Sequence, residues 1–227
     1  DEHGRTSAPH VWAVGDATVA VDRVTGVRRP VPLAGPANRA GRLVADHILT
    51  PDRARPIPQP LGTAIVRVGG LTAALTGANR RSLEAAGIDY RTVHLHPGSH
   101  AGYFPGAEQI HLLLHFRAGD GLLLGAQAVG ADGVDKRIDV LATALANGLT
   151  APELIDLDLA YAPPYGSAKD PVNLAGMIAE NVLDGALELW YADDGLPGPE
   201  ALLLDVRDPD EVAQDALPGA LTIPHTQ

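Results

Sequence analysis

A chain of 227 residues with 45% hydrophobic side chains has ample apolar material for one or two packed domains. Its formal net charge of -11 argues against sequence-independent binding to nucleic acid, which depends on Lys and Arg neutralising phosphates. No apolar run approaches the roughly 18 residues of a bilayer span, so a membrane role is not expected and a cytoplasmic setting is. The chain contains no cysteine, hence neither a disulfide framework nor a thiol nucleophile within these residues.

Taken in order, Val11 to Val14 read as an apolar strand ending at Gly15 and Asp16. Gly35 and Pro36 then suit the N-cap and first position of a helix whose apolar stripe is Ala40, Leu43, Val44, His47 and Ile48. Four prolines between Pro51 and Pro60 mark a stiff linker and a domain boundary. Beyond it come strands TAIVRV and LTAALT, a short helix after Asn79 closed by Gly87, and strand DYRTVHL. Ile110, Leu112, Leu114 and Phe116 alternate with His111, Leu113 and His115, so one sheet face is apolar. LLLGAQAVG is the next strand. Asp135 to Asn147 is an amphipathic helix stopped by Gly148, and Asp170 with Pro171 opens a last helix running to about Leu183. After the linker DDGLPGPE, the strand ALLLDV begins a third, short unit.

Asp16, a carboxylate behind a glycine at a strand's end, suits a sugar or polyol hydroxyl, although capping the next turn is its ordinary use. The helix start at Gly35, Pro36, Ala37 and Asn38 offers unpaired N–H groups and about half a positive charge to an anionic group. His94, His96, His100, His111 and His115 lack acidic or Cys partners at ligand spacing and read as polar residues of a sheet face, with no metal site expected. Lys136, Arg137 and Asp139 read as solvated ion pairs.

TSAPHVWAVGD followed by LAGPANRAGR resembles the second flavin motif and following helix of the pyridine nucleotide-disulfide oxidoreductases. HAGYFPGA, LLGAQAVGADGVDKRIDVLATAL and LAYAPPYGSAKDPVNLAGMIAEN resemble the dimerisation domain of the coenzyme A-disulfide reductase branch, which includes NADH-dependent persulfide and polysulfide reductases. LLLDVRDPDEVAQDALPGALTIPH is similar to the opening of a rhodanese domain. The resemblance covers almost the whole chain. It implies α/β and α+β architecture: residues 1–60 as the C-terminal edge of an FAD-binding Rossmann-like domain, residues 61–186 as an α+β dimerisation domain, and residues 187–227 as a linker and the start of a rhodanese-like α/β domain.

The same resemblance implies FAD as cofactor, NAD(P)H as reductant, and a redox cysteine that attacks a coenzyme A disulfide or persulfide. With Asp1 in place of an initiator Met and no GxGxxG before the first strand, these elements are expected N-terminal to the chain, which then holds little of the reaction chemistry and is inactive alone. In a homodimer, Tyr103 and Tyr161 act beside the partner subunit's cysteine as hydrogen-bond or proton donors. The implied cofactor contacts are Thr6, Gly15, Asp16, Pro36, Ala37, Asn38 and Tyr161; those to a small-molecule, coenzyme A-type substrate are Asn38, Tyr103, Tyr161 and Lys169. An NADH oxidase or peroxidase of the same superfamily, or a non-catalytic dimerisation module, are the competing readings. Two positions depart from the family pattern. Gly69 and Gly70 stand where an aromatic-containing pair is expected, which predicts a loosened sheet or a bulge. Asp215 and Ala216 replace the usual Gly-His of a rhodanese opening.

Overall fold

The computed structural model describes residues 1–195 and 197–225, and the chain divides into two compact units, Asp1–Leu187 and Glu188–Gln227. The first unit is built around one antiparallel sheet. Its strands are preceded by a two-stranded hairpin, β1 (Val19–Val21) with β2 (Arg28–Pro30), and by helix α1 (Ala34–Leu49). The five-stranded sheet comprises β3 (Ala64–Val68), β4 (Leu71–Gly77), β5 (Tyr90–Leu95), β6 (Ile110–Arg117) and β7 (Leu123–Gly130), in the order β3-β4-β7-β6-β5. Helix α2 (Arg80–Ala85) joins β4 to β5, with the Asn79 side chain accepting from the Ser82 N–H as N-cap. Helix α3 (Val134–Ala146) packs on β4 and β7, and helix α4 (Pro171–Leu183) packs on β5, β6 and α3.

The alternation read from the sequence places one apolar face under these helices. The register aligns Ala74, Ala128, Leu112 and Leu95 as one buried cross-strand row. Ile110, Leu114, Phe116 and Val93 are fully buried on the same side, each contributing about 1.5–3 kcal/mol by burial. Val66, Ala73, Val129 and His111 form the corresponding row on the opposite face, where Val66 and Val129 remain exposed. Small residues set the spacing where β4 meets β7. Gly77 and Gly125 face each other, and a Cβ on Gly125 would run into the Ala78 carbonyl oxygen. The chain there turns out of β4 with Gly77 at φ +70°, a conformation that favours glycine.

Several sequence expectations need correction. Val11 to Val14 do not form a strand: among the described residues Trp12 finds only an isolated bridge to Arg5, and a β segment without neighbours has no ladder to join. Helix α1 begins at Ala34, with Leu33 at the N-cap, so Gly35 and Pro36 lie inside its first turn. Ile48, assigned to the apolar stripe, is exposed, whereas Ala40, Leu43 and Val44 are buried. Gly69 and Gly70 make no bulge; they are the two-residue turn between β3 and β4, with Gly69 at φ +59° as a tight hairpin requires. The register irregularity falls instead between His115 and Phe116.

His115 is also not a polar face residue. It is 1% exposed, its Nδ1 lies 2.8 Å from Thr92 Oγ1, and its ring packs edge-on against Tyr90. Burial, aided by the charges of His94 and Arg80, lowers its pKa from 6.5 to about 4. Arg137, expected in solvent, is equally buried at 1% exposure, because it falls on the inward stripe of α3 between Val134 and Leu141.

The second unit contains β8 (Leu204–Asp205) and β9 (Leu221–Thr222), paired in parallel and connected through α5 (Pro209–Gln214). Asp208 and Glu211 cap α5 reciprocally and Pro209 occupies its first turn. Arg207 forks onto Asp205, with Nε 3.0 Å from Oδ1 and Nη2 2.7 Å from Oδ2.

The Gly125→Ala variant is expected to lose about 3 kcal/mol in urea unfolding, since the strand backbones would have to separate. His115 sets an acid limit. A folded pKa of about 4 against 6.5 unfolded means the unfolded chain binds the proton first as pH falls. Stability is full above pH 6.5 and drops by about 3 kcal/mol toward pH 4, and a His115→Gln variant should show a correspondingly flatter profile by thermal or urea unfolding.

Candidate functional site

Two loops on the helix-covered sheet carry the predicted tyrosines. The first, between β5 and β6, is closed on itself: Ser99 N–H donates to the Glu108 carbonyl at 2.7 Å and Glu108 N–H to Ser99 Oγ at 3.1 Å. His100 is buried beside it, its Nδ1 3.1 Å from Ser99 Oγ and its ring edge-on to Phe104. Tyr103 projects from the tip, 77% exposed. The second loop leads into α4, and its turn is closed by Tyr165 N–H donating to the Ala162 carbonyl at 2.8 Å. Tyr161 stands at its start, 48% exposed.

These loops are brought together by backbone and by charge. Ala101 N–H donates to the Gly166 carbonyl at 2.9 Å, linking one loop to the other. Beneath that bond lies Arg137. Its Nη2 donates to the Ser99 carbonyl and to Asp170 Oδ2, each at 2.9 Å, its Nη1 to the Gly133 carbonyl at 3.2 Å, and its Nε faces Asp170 Oδ1 at 3.4 Å. Asp170, 4% exposed, uses the same Oδ1 to cap α4 through Val172 N–H at 3.1 Å. Lys136 Nζ reaches the carbonyls of Ala160 at 3.4 Å and Tyr165 at 3.5 Å, 3.9 Å from Asp170 Oδ2.

The outcome is a hydroxyl pair, Tyr103 Oη to Tyr161 Oη at 3.1 Å, made by residues 58 apart in the chain. The hydrogen bond with Tyr103, then partial desolvation, raises the Tyr161 pKa above the ordinary phenol value of 10. Tyr161 therefore stays protonated near neutrality and can donate to an anion. A cavity of about 180 Å³ adjoins Tyr161, lined among others by Leu159, Ser167, Asp170 and Met177. A larger cleft of about 500 Å³, between Arg23, Leu61, Ile88 and Leu124, contains none of the predicted residues.

Lys169 is exposed and makes no hydrogen bond or ion pair among the described residues; its neighbours Ala168 and Asp170, rather than Lys169, line the small cavity. The other predicted cluster lies at α1. Gly15, at φ +90°, sits against the first turn of the helix, where a Cβ would approach Ala37 Cβ at 3.7 Å. Asp16 and Asn38 are exposed and Pro36 half-buried. The helix has no side-chain cap and no acidic residue in its first turn; Pro36 has no N–H and Ala37 N–H donates to the Leu33 carbonyl, so of the four residues expected to offer N–H groups only Gly35, with Ala34 before it, keeps one at the positive helix end. Thr6 turns its hydroxyl inward onto the Val11 carbonyl at 3.0 Å. No hydrogen bond joins this cluster to the tyrosine pair among the described residues.

Sequence reasoning missed Arg137, Lys136 and the second role of Asp170. The available signal was position: Arg137 follows Val134 by three residues and precedes Leu141 by four, which puts a charge on an apolar stripe. A charge placed there needs a buried partner.

The description "pyridine nucleotide-disulphide oxidoreductase, dimerisation domain" matches residues 63–171. Coenzyme A disulfide reductase from Staphylococcus aureus strain bovine RF122 is 38% identical over 175 residues, 77% of this chain and 39% of that protein. Reduced CoADR-RHD from Bacillus anthracis superposes with a TM-score of 0.90 at 42% identity, over 99% of this chain and 40% of that one. A NAD-dependent persulfide reductase from A. fulgidus gives 0.88 at 37% identity, again over 99% of this chain and 40% of the other. The chain thus spans about two fifths of the length of these proteins. Among the described residues no helix is long and apolar enough to cross a membrane. The antiparallel sheet, its covering helices and these likenesses agree that the chain carries, over residues 63–171, the dimerisation domain of the pyridine nucleotide-disulphide oxidoreductases.

Proposed function

We propose that this chain is the part of an FAD-dependent NAD(P)H oxidoreductase that forms the homodimer and presents Tyr103 and Tyr161 to the sulfur chemistry of the partner subunit, with a coenzyme A disulfide or persulfide as substrate. The observation that carries the reading is the 3.1 Å pairing of the two exposed hydroxyls. Two exposed phenols joined in this way are of little use to a core, but they form a donor pair for a sulfur anion. The 227 residues hold no cysteine, so in this reading the thiol comes from outside them.

The residues at α1 fit a flavin. An uncapped helix start with Gly15 packed on Ala37 leaves a close backbone approach, and Asp16 lies exposed beside it to accept from a polyol hydroxyl. Bound there, FAD would relay reducing equivalents from NAD(P)H to sulfur. Gly15, Asp16, Pro36, Ala37 and Asn38 would hold it, with Thr6 supporting the turn that leads to them. The chain's own part in the reaction is at the phenols. When a thiolate attacks the substrate disulfide, a mixed disulfide forms to the attacked sulfur, the original S–S bond breaks and the departing sulfur takes its electron pair. Tyr161 Oη, kept protonated by Tyr103, donates a hydrogen bond or its proton to that sulfur. Lys169, exposed and without an ion-pair partner among the described residues, supplies a point charge for the phosphates of a coenzyme A-type substrate. Residues 187–227 are read as a linker and the start of a rhodanese-like domain, a reading that the short parallel pairing of β8 with β9 supports.

In the whole enzyme that supplies the thiol, Tyr161→Phe should lower turnover of coenzyme A disulfide or persulfide about 100-fold, and Lys169→Ala should raise KM for the coenzyme A disulfide with little change in kcat. Rapid oxygen consumption without disulfide or persulfide turnover would instead assign the oxidase reading. Sedimentation of the 227-residue chain should give a dimer; a monomer at high concentration would remove the partner subunit from this account.

A further inference from the structure

The tyrosines are exposed loop residues, and exposed loops lose their geometry first unless something beneath fixes them. What lies beneath is a charged network. Arg137 spends its planar fork on four acceptors belonging to three segments: the Ser99 carbonyl in the first tyrosine loop, the Gly133 carbonyl at the start of α3, and both oxygens of Asp170 behind the second loop. An ammonium could not reach these directions at once, since the guanidinium alone has donors fixed in one plane. Gly133 clears the space. A Cβ on Gly133 would strike Arg137 Nη1, and a Cβ on Gly166 would sit 3.6–3.7 Å from Asp170, Arg137 and Lys136.

Packing alone does not account for this arrangement. Buried ion pairs are often replaceable by apolar side chains of similar volume without loss of stability, and the contribution that such a replacement removes is a fixed geometry. We infer that the Arg137–Asp170 pair, with Lys136 at its edge, is a positioning device that sets the registry of the two loops and thereby the distance between the Tyr103 and Tyr161 hydroxyls. Through Ser99 the guanidinium fixes the base of the first loop. Through Asp170 it fixes the exit of the second, and Lys136 ties the Ala160 and Tyr165 carbonyls on either side of that loop's turn. The functional importance of that distance rests on the reading given above, but the positioning itself does not require turnover.

The experiment is therefore spectroscopic. The 227-residue chain is prepared with ¹³Cζ-labelled tyrosine, and each phenol is followed by NMR through its titration, with Tyr→Phe variants for assignment. In the parent chain the Tyr161 midpoint lies above the free phenol value of ~10 because of Tyr103. Tyr90, whose midpoint is also raised, by burial and by Glu84, is an internal reference remote from Arg137 in sequence. In Arg137→Lys, and in Lys136→Met, whose side chain is 35% exposed and so less needed for folding, Tyr161 should return to ~10 while Tyr90 keeps its raised midpoint. A Tyr161 midpoint unchanged in a folded variant would overturn the inference, and so would an equal fall at Tyr90, which would mean general loosening. Should Arg137→Lys not fold, Lys136→Met decides by the same two resonances. Because no catalysis is measured, failure of the disulfide reductase reading leaves this result standing, and the reverse also holds.

Discussion

The geometry of the candidate site depends on one buried ion pair. Arg137 and Asp170 lie 33 residues apart on different elements, both nearly inaccessible to water, and each also serves a backbone group. Desolvating two charges costs several kcal/mol per ion, and only good geometry with every remaining donor satisfied offsets it. Here four of the five guanidinium N–H groups have acceptors, the Ser99 and Gly133 carbonyls among them, which ties the conformation of the first tyrosine loop to the ion pair. The glycine at 133 follows from it, as does the choice of Asp rather than Ser or Thr to cap α4.

Around this centre the work is divided between apolar rows and polar edges. The sheet supplies rigidity through its buried row from Ala74 to Leu95, and the Gly77–Gly125 approach holds β4 and β7 close. The helices cover that face, while the residues with chemical capability emerge at loop tips, where solvent and ligands can reach them. The α1 cluster is separate and of another kind. It offers backbone N–H groups and a positive helix end rather than side-chain acids or bases.

How much of this was legible in the sequence varied with the kind of signal. Local signals were faithful: the Asp170–Pro171 start of α4, the Asn79 cap of α2 and the alternation of β6 all depend on neighbours within a few residues. Tyr103 and Tyr161 could be singled out only by family likeness, since neither a Tyr nor its spacing announces a hydroxyl pair closed across 58 residues. Val11 to Val14 have strand composition without the neighbours that make a strand. Arg137 and His115 were placed in solvent because polarity outweighed position. Both lie in the packed interior, where Asp170 and Thr92, residues distant in sequence, make their burial tolerable.

The separation of Arg137 from its carboxylate also sets an order of assembly. The chain is synthesised from its N-terminus, so the β5–β6 loop and all of α3 exist before Asp170 does. An unpaired guanidinium resists burial, and α3 cannot settle its inward stripe onto β4 and β7 while that charge lacks its partner. The buried position of Arg137 in docked α3 is thus completed only by a residue synthesised later, at the start of α4.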